Sequence, residues 1–146
     1  MNKSVNILPI MIRDHKKIES LLDKFEENVD KGYEVMNDSF KAFEWRLEKH
    51  LFVEEKVIFT KYQPENISED YKMLPELTKQ HNYLINELKK MRKDIKEKNT
   101  PSGFYEFKRY LEKHRNFEEE NVYPKLDKSL TTKQKSEMIE KMNEII

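Results

Sequence analysis

The chain has 146 residues, enough for one domain with a substantial core. Lys plus Arg and Asp plus Glu balance at 28 each, which argues against nucleic acid or a membrane surface as partner. There is no Cys, so there is no disulfide, thiolate site or iron–sulfur cluster, and the few Gly and Pro among many Lys, Glu and Leu give a helix-rich composition.

The first apolar run, Ile7 to Ile12, is interrupted by Pro9 and leads into a charged helix. No signal peptide or membrane span is expected, and the cytoplasm is the expected compartment. Helix 1 is expected from Pro9 to Gly32, with an apolar seam Met11, His15, Ile18, Leu22, Phe25, Val29. Asn37-Asp38-Ser39 offers caps for helix 2, expected to run to about Tyr62, before Pro64. Its seam is Phe40, Phe43, Leu47, His50, Glu54, Val57. Residues 63–73 read as a loop or a short turn of helix.

Pro75 is expected to open helix 3, with the seam Leu74, Leu77, His81, Leu84, Leu88, Met91, Ile95. Thr100 to Gly103 is the next break. Helix 4 carries Phe104, Phe107, Leu111, His114 and Glu118 and is expected to end before Pro124. Thr131-Thr132 can cap a shorter helix over about 132–145, with Met138, Met142 and Ile145 on one face. The expected fold is all-α: an up-down-up-down four-helix bundle with a short C-terminal fifth helix. It is a single domain over 1–146, built from hairpins at about 9–62 and 75–124.

One phrase occurs twice. Leu47-Glu48-Lys49-His50, three residues, then Glu54-Glu55 returns 64 residues later as Leu111-Glu112-Lys113-His114, three residues, then Glu118-Glu119. In each copy His and Glu are four apart and share a helix face. Each hairpin also has a lone His on its first helix, in Asp14-His15-Lys16 and Gln80-His81-Asn82. The chain therefore reads as an approximate duplication of a helical hairpin.

All four His of the chain fall on apolar seams, and two Glu join them. If seam positions are about two in seven, chance placement of all four His has odds on the order of one in a hundred. Burying such groups unpaired costs several kcal/mol each, and a metal removes that cost. Imidazole and carboxylate without thiolate suit Fe, Mn, Zn or Ni, and six ligands are too many for one tetrahedral zinc. Two metals, each with two His and two bridging carboxylates, would each keep a position for a small molecule such as O2, NO or peroxide.

The order His15, His50-x-x-x-Glu54, His81, His114-x-x-x-Glu118 resembles the hemerythrin-like, or HHE, cation-binding domain. The tails Glu54 to Phe59 and Glu118 to Pro124 resemble it too. The resemblance covers about 9–124. It implies a non-haem di-iron centre, oxo- or hydroxo-bridged, in the middle of the bundle. His15 and His50 would bind one iron, His81 and His114 the other, and Glu54 and Glu118 would bridge. Oxygen-carrying members have a fifth His one turn beyond the lone third-helix His; here that position is Ile85, and the fourth helix has HxxxE. The pattern is closer to the bacterial and archaeal branch that includes repair-of-iron-centres proteins. That favours NO or peroxide chemistry, sensing or iron donation over simple oxygen carriage.

The neighbours of the six are expected to be ordinary. Glu55 and Glu119 read as a solvated helix face, with an acidic path for iron entry or an acceptor behind a ligand as the other reading; Asp14 and Gln80 read as surface residues; and Trp45, Tyr83 and Tyr110 read as packing, with a donor to a bound oxygen species as the other reading of the two tyrosines. The leading expectation is a di-iron protein, monomer or homodimer, that binds, senses or detoxifies O2, NO or peroxide, or stores and donates iron. The alternatives are a peroxide- or NO-consuming di-iron enzyme and a metal-free helical interaction module.

Overall fold

The computed structural model describes residues 6–61 and 69–146, with the side chains of residue 61 and residues 69–72 left aside. The described residues are helical almost throughout. Helix α1 spans Ile7–Asn28 and α2 spans Tyr33–Val53; α2 runs on through a π-helical turn, Glu54–Ile58, and a short 3-10 turn, Phe59–Lys61. Helix α3 spans Glu69–Lys96 and α4 spans Phe104–Phe117. A second π-helical turn, Glu118–Val122, carries α4 into α5, Tyr123–Ser129, and α6 spans Thr132–Ile145.

The helices run alternately up and down, as their core residues show. One apolar cluster joins the start of α1 (Ile7, Met11), the end of α2 (Val57, Ile58), Met73 and Leu77 of α3, and Val122 to Leu126. The other joins the end of α1 (Ile18, Leu22, Phe25), the start of α2 (Phe40, Phe43, Leu47), the end of α3 (Leu84 to Ile95), and Phe107 and Leu111 of α4. Between the two lies a layer of buried His and carboxylates. The chain is thus the expected all-α bundle with a short C-terminal helix. Two apolar plugs seal its polar layer from both ends.

Helix ends differ from the sequence expectation for physical reasons. Helix α1 begins at Ile7 rather than Pro9, because Asp127 accepts from the Ile7 and Leu8 N–H groups at 2.7 and 3.0 Å. It ends at Asn28, and Gly32, with φ of 100°, sits immediately before α2 rather than after α1. Asn37-Asp38-Ser39 does not cap α2, which already starts at Tyr33. Ser39 Oγ instead donates to the Val35 and Met36 carbonyls within the helix. Pro75 lies inside α3, which starts at Glu69, so of the stretch expected as a loop or a short turn of helix, residues 69–73 are helix, continuous with α3. The fourth helix ends before Pro124, at Phe117, but the chain stays helical: Pro124 falls in the first turn of α5, just past the π-helical turn, where a missing N–H is tolerated. Thr131 does cap α6, accepting from the Gln134 N–H while Gln134 accepts in return from the Thr131 N–H. The expected end of helix 2 at Tyr62, and residues 63–68, lie outside the described residues.

Candidate metal centre

The four helices bring all six predicted residues into one layer. They form two groups that share both carboxylates: His15, His50, Glu54 and Glu118, and then Glu54, His81, His114 and Glu118. Within each group the potential ligand atoms lie within 4.8 Å of one another, and all six residues are buried. Three-residue spacing between His and Glu sets each pair on one helix face, at Nε2–Oε distances of 3.3 Å for both His50–Glu54 and His114–Glu118. With metal–ligand bonds of about 2.0–2.2 Å, neighbouring donors around one ion sit roughly 3.0–3.5 Å apart.

The residues fit a metal on a further observation. Glu54 Oε1, Glu118 Oε2, His81 Nε2 and His114 Nε2 are buried and have no hydrogen-bond partner. All four are turned to the shared centre. His15 Nε2 and His50 Nε2 face each other at 3.1 Å. Their Nδ1 atoms face carboxylates, which can only accept, so both neutral rings would meet lone pair to lone pair. A cation or a proton between them relieves that contact. Burial disfavours charge on His81, but the facing Glu118 and Glu54 carboxylates outweigh it and carry its pKa up to about 10. His50 is likewise pushed down by burial, yet Glu54 and Asp14 hold it well above its usual value. In Glu118 burial acts to raise the pKa, and the charge of His114 and the hydrogen bonds around it hold it well below the carboxylate range. The layer therefore favours positive charge, which protons or a metal ion could supply.

The two carboxylates are not alike. Glu118 sends Oε1 toward His15 at 3.1 Å and Oε2 toward His114 at 3.3 Å, one oxygen to each group. Glu54 sends Oε1 toward both His50 at 3.3 Å and His81 at 3.2 Å, while its Oε2 accepts from the buried Tyr123 hydroxyl. Burial and the nearby Glu118 and Glu54 charges push the Tyr123 pKa well up, so it remains a donor.

Each imidazole is held from behind. His15 Nδ1 donates to Glu119 at 2.7 Å, His50 Nδ1 to Asp14 at 2.6 Å, His81 Nδ1 to Glu55 at 3.1 Å, and His114 Nδ1 to Gln80 at 2.6 Å. These bonds fix the tautomer that aims Nε2 inward. Arg46 pairs with the far oxygen of Asp14. Burial would raise the Asp14 pKa, but His50 and Arg46 hold it below the usual value. Asp14 and Gln80 are thus not surface residues without a role, and Glu55 and Glu119 are not merely solvated: all four orient histidines. The sequence favours a surface place for all four, with the acceptor role of Glu55 and Glu119 only a second reading, because only seam positions read as inward. Their signal lay in the repeat itself, since each sits directly beside a seam His or Glu in both copies.

Tyr123 was missed for a related reason. On a plain α-helix a residue five beyond Glu118 points about 140° away from it. The π-helical turn Glu118–Val122 widens the coil and brings Tyr123 into the layer, as its counterpart Glu54–Ile58 begins at the other carboxylate. Tyr83 and Tyr110 stack on each other with centroids 3.9 Å apart, as packing residues. Trp45 does not pack at a helix interface; it is 64% exposed, with Lys49 over its ring.

A cavity of about 320 Å³ reaches the layer between α1 and α4. His15, His50 and His114 open onto it, above an apolar wall of Ile18, Leu22, Leu47 and Leu111. Its rim carries the pairs Arg115 with Glu19 and Lys108 with Glu26, which tie α4 to α1. His81, fully buried, does not line it.

The family model of the hemerythrin HHE cation-binding domain matches residues 6–126. The chain belongs to the hemerythrin HHE cation-binding family. No curated protein and no solved structure is detectably similar to this member. Family membership implies a bound cation, usually iron, and the buried His/Glu groups could hold one. Among the described residues no helix is long and apolar enough to cross a membrane.

Proposed function

We propose that this HHE-domain protein binds two iron ions, held by His15, His50, His81 and His114 and bridged by Glu54 and Glu118, and that the pair binds, senses or detoxifies O2, NO or peroxide, or stores and donates iron. The observation that carries this reading is the pair of four-residue groups sharing both carboxylates, with four buried donor atoms that face one another across the layer and have no hydrogen-bond partner. An iron pair supplies positions for a small ligand and a means of exchanging electrons with it. The chain's own part is to hold six donors rigidly, to keep water out with the two apolar clusters, and to admit small molecules through the α1–α4 cavity.

Ile85 occupies the place of a fifth His and packs, partly buried, against the apolar cluster. Neither group then has more than four protein donors, which supports placing the chain in the six-ligand branch that includes repair-of-iron-centres proteins. We read the chain as a single cytoplasmic domain, monomeric or dimeric, with no nucleic-acid or membrane partner. The test is an absorption spectrum of protein purified without a tag, before and after azide, NO and peroxide. Ligand-dependent near-ultraviolet and visible bands are expected, and a spectrum unmoved by all three contradicts the reading. Stopped-flow mixing with excess peroxide or NO separates a binder, which gives one equivalent of change, from an enzyme that continues to turn over.

A further inference from the structure

The two halves of the centre share ligand types but not the groups behind them. Three of the four histidines donate to a carboxylate; His114 alone donates to an amide oxygen, that of Gln80. Gln80 Nε2 donates in turn to Glu76 at 3.2 Å, which fixes the amide so that its oxygen, not its nitrogen, faces the ring. Asp14 holds the matching place in the other half, next to the lone His of its hairpin and against the HxxxE His.

We propose that the two halves bind their metal ions with unequal strength: the ion at His81 and His114 is the weaker and the first released, and Gln80 is the positioning residue that makes it so. The inference rests on the metal reading above. A carboxylate accepting from Nδ1–H draws the proton toward itself and makes Nε2 a stronger donor; a neutral amide does this less. In the His15/His50 half both partners are carboxylates, at 2.7 and 2.6 Å. In the other half one partner is neutral, and Glu55 stands at 3.1 Å and is 39% exposed, against 24% for Glu119. The Gln80 contact is as short as any, at 2.6 Å, but its acceptor is neutral, and the Glu55 contact is longer and more exposed, so each pulls less on its ring proton than its counterpart in the other half.

Two arginines act in the opposite sense. Arg46 lies behind Asp14, and Arg115 lies 4.0 Å from Glu119, so each places a positive charge near the stronger half. Each, however, has a carboxylate between it and the imidazole, and Arg115 also faces Glu19 and Glu112. With the negative carboxylate between, the net repulsion each arginine exerts on an ion is small beside a change in the direct hydrogen bond. Arg46 also fixes Asp14 in place. The cavity opens mainly on the stronger half, so escape rates and affinities need not run in the same order, and the test is made at equilibrium.

Full-length metal-free protein is loaded with Co²⁺, whose visible bands report on ligation, and titrated to equilibrium with a competing chelator. The wild type should give up its ions in two steps, with dissociation constants about 10–100-fold apart. Gln80→Glu should tighten the weaker step and bring the two together. A residue with only a structural role would not strengthen binding when changed. Gln80→Leu should widen the gap, and Asp14→Asn should weaken the tighter step, with far-ultraviolet circular dichroism confirming that each variant is folded. Release of both ions of the wild type in one step, or constants unmoved by Gln80→Glu, overturns the inference and leaves the metal reading standing. No uptake of Co²⁺ at all overturns both.

Discussion

The two hairpins repeat their candidate ligands and differ in what surrounds them. At a spacing of 64 residues His50 answers to His114, Glu54 to Glu118 and Glu55 to Glu119, and each Glu shared by the two groups opens a π-helical turn. At the same spacing Arg46 meets Tyr110, Leu51 meets Arg115, and Phe59 meets Tyr123. The repeated residues point into the polar layer or brace it directly. The divergent ones decide which carboxylate has a hydroxyl donor, which outer carboxylate has an arginine behind it, and which side carries the cavity rim. A duplicated hairpin thus yields a nearly symmetric donor set inside an asymmetric shell, and the asymmetry is where specific behaviour can reside.

The strongest way to break the comparison is to remove a carboxylate that serves both halves. Glu118→Ala takes one oxygen from each group at once, so both ions should be lost rather than one. In the metal-free protein it also leaves buried imidazoles without their counter-charge, a cost of about 3–5 kcal/mol. Metal analysis with thermal melting checks both effects. His50→Ala should instead disable one group and leave His81, His114, Glu54 and Glu118 in place.

A second effect comes from the protons that compete with metal. In metal-free protein the His81 pKa is about 10 against an ordinary 6.5. Its contribution to stability is complete below pH 6.5 and is lost as the pH rises through 10. Glu118, held below its ordinary 4.5, contributes above that value and loses it as the pH falls. The melting temperature of metal-free protein should therefore be highest between about pH 4.5 and 6.5 and fall on the alkaline side. Metal-loaded protein should not show the alkaline fall, because the ion has replaced the proton. Parallel melts of the two forms from pH 5 to 10 check this.

That the six candidate ligands lie together was legible in the sequence, because duplication and seam position are both visible as spacing. His15, His50, Glu54, His81, His114 and Glu118 all sit where an α-helical period puts the core, and the structure gathers them. The residues that orient them were not legible on that basis, because Asp14, Glu55, Gln80 and Glu119 lie one step off the seam and reach inward only across a helix interface. Tyr123 needed a π-helical turn that α-periodicity cannot show. Helix starts were misplaced where a distant partner, such as Asp127 at Ile7, supplied the cap.

Tyr123→Phe restores symmetry with Phe59 and is a milder perturbation. It leaves the buried Glu54 Oε2 without its donor, at a cost of about 1–3 kcal/mol, read as a lower melting temperature of the metal-free protein. The smallest effect expected is that of Arg115→Ala at the cavity rim. A partly exposed pair such as Arg115–Glu19 contributes about 0–1 kcal/mol, so stability and metal content should hardly change. Small-ligand association, followed by stopped flow with azide or NO, should quicken as the α1–α4 opening loosens.

The central claim, two irons held between shared carboxylates, is tested most directly by anomalous diffraction at the iron edge from crystals of protein purified without a tag. Two peaks are expected, one beside His15 and His50 and one beside His81 and His114, with Glu54 and Glu118 between them. No peak, or a single ion, would contradict it.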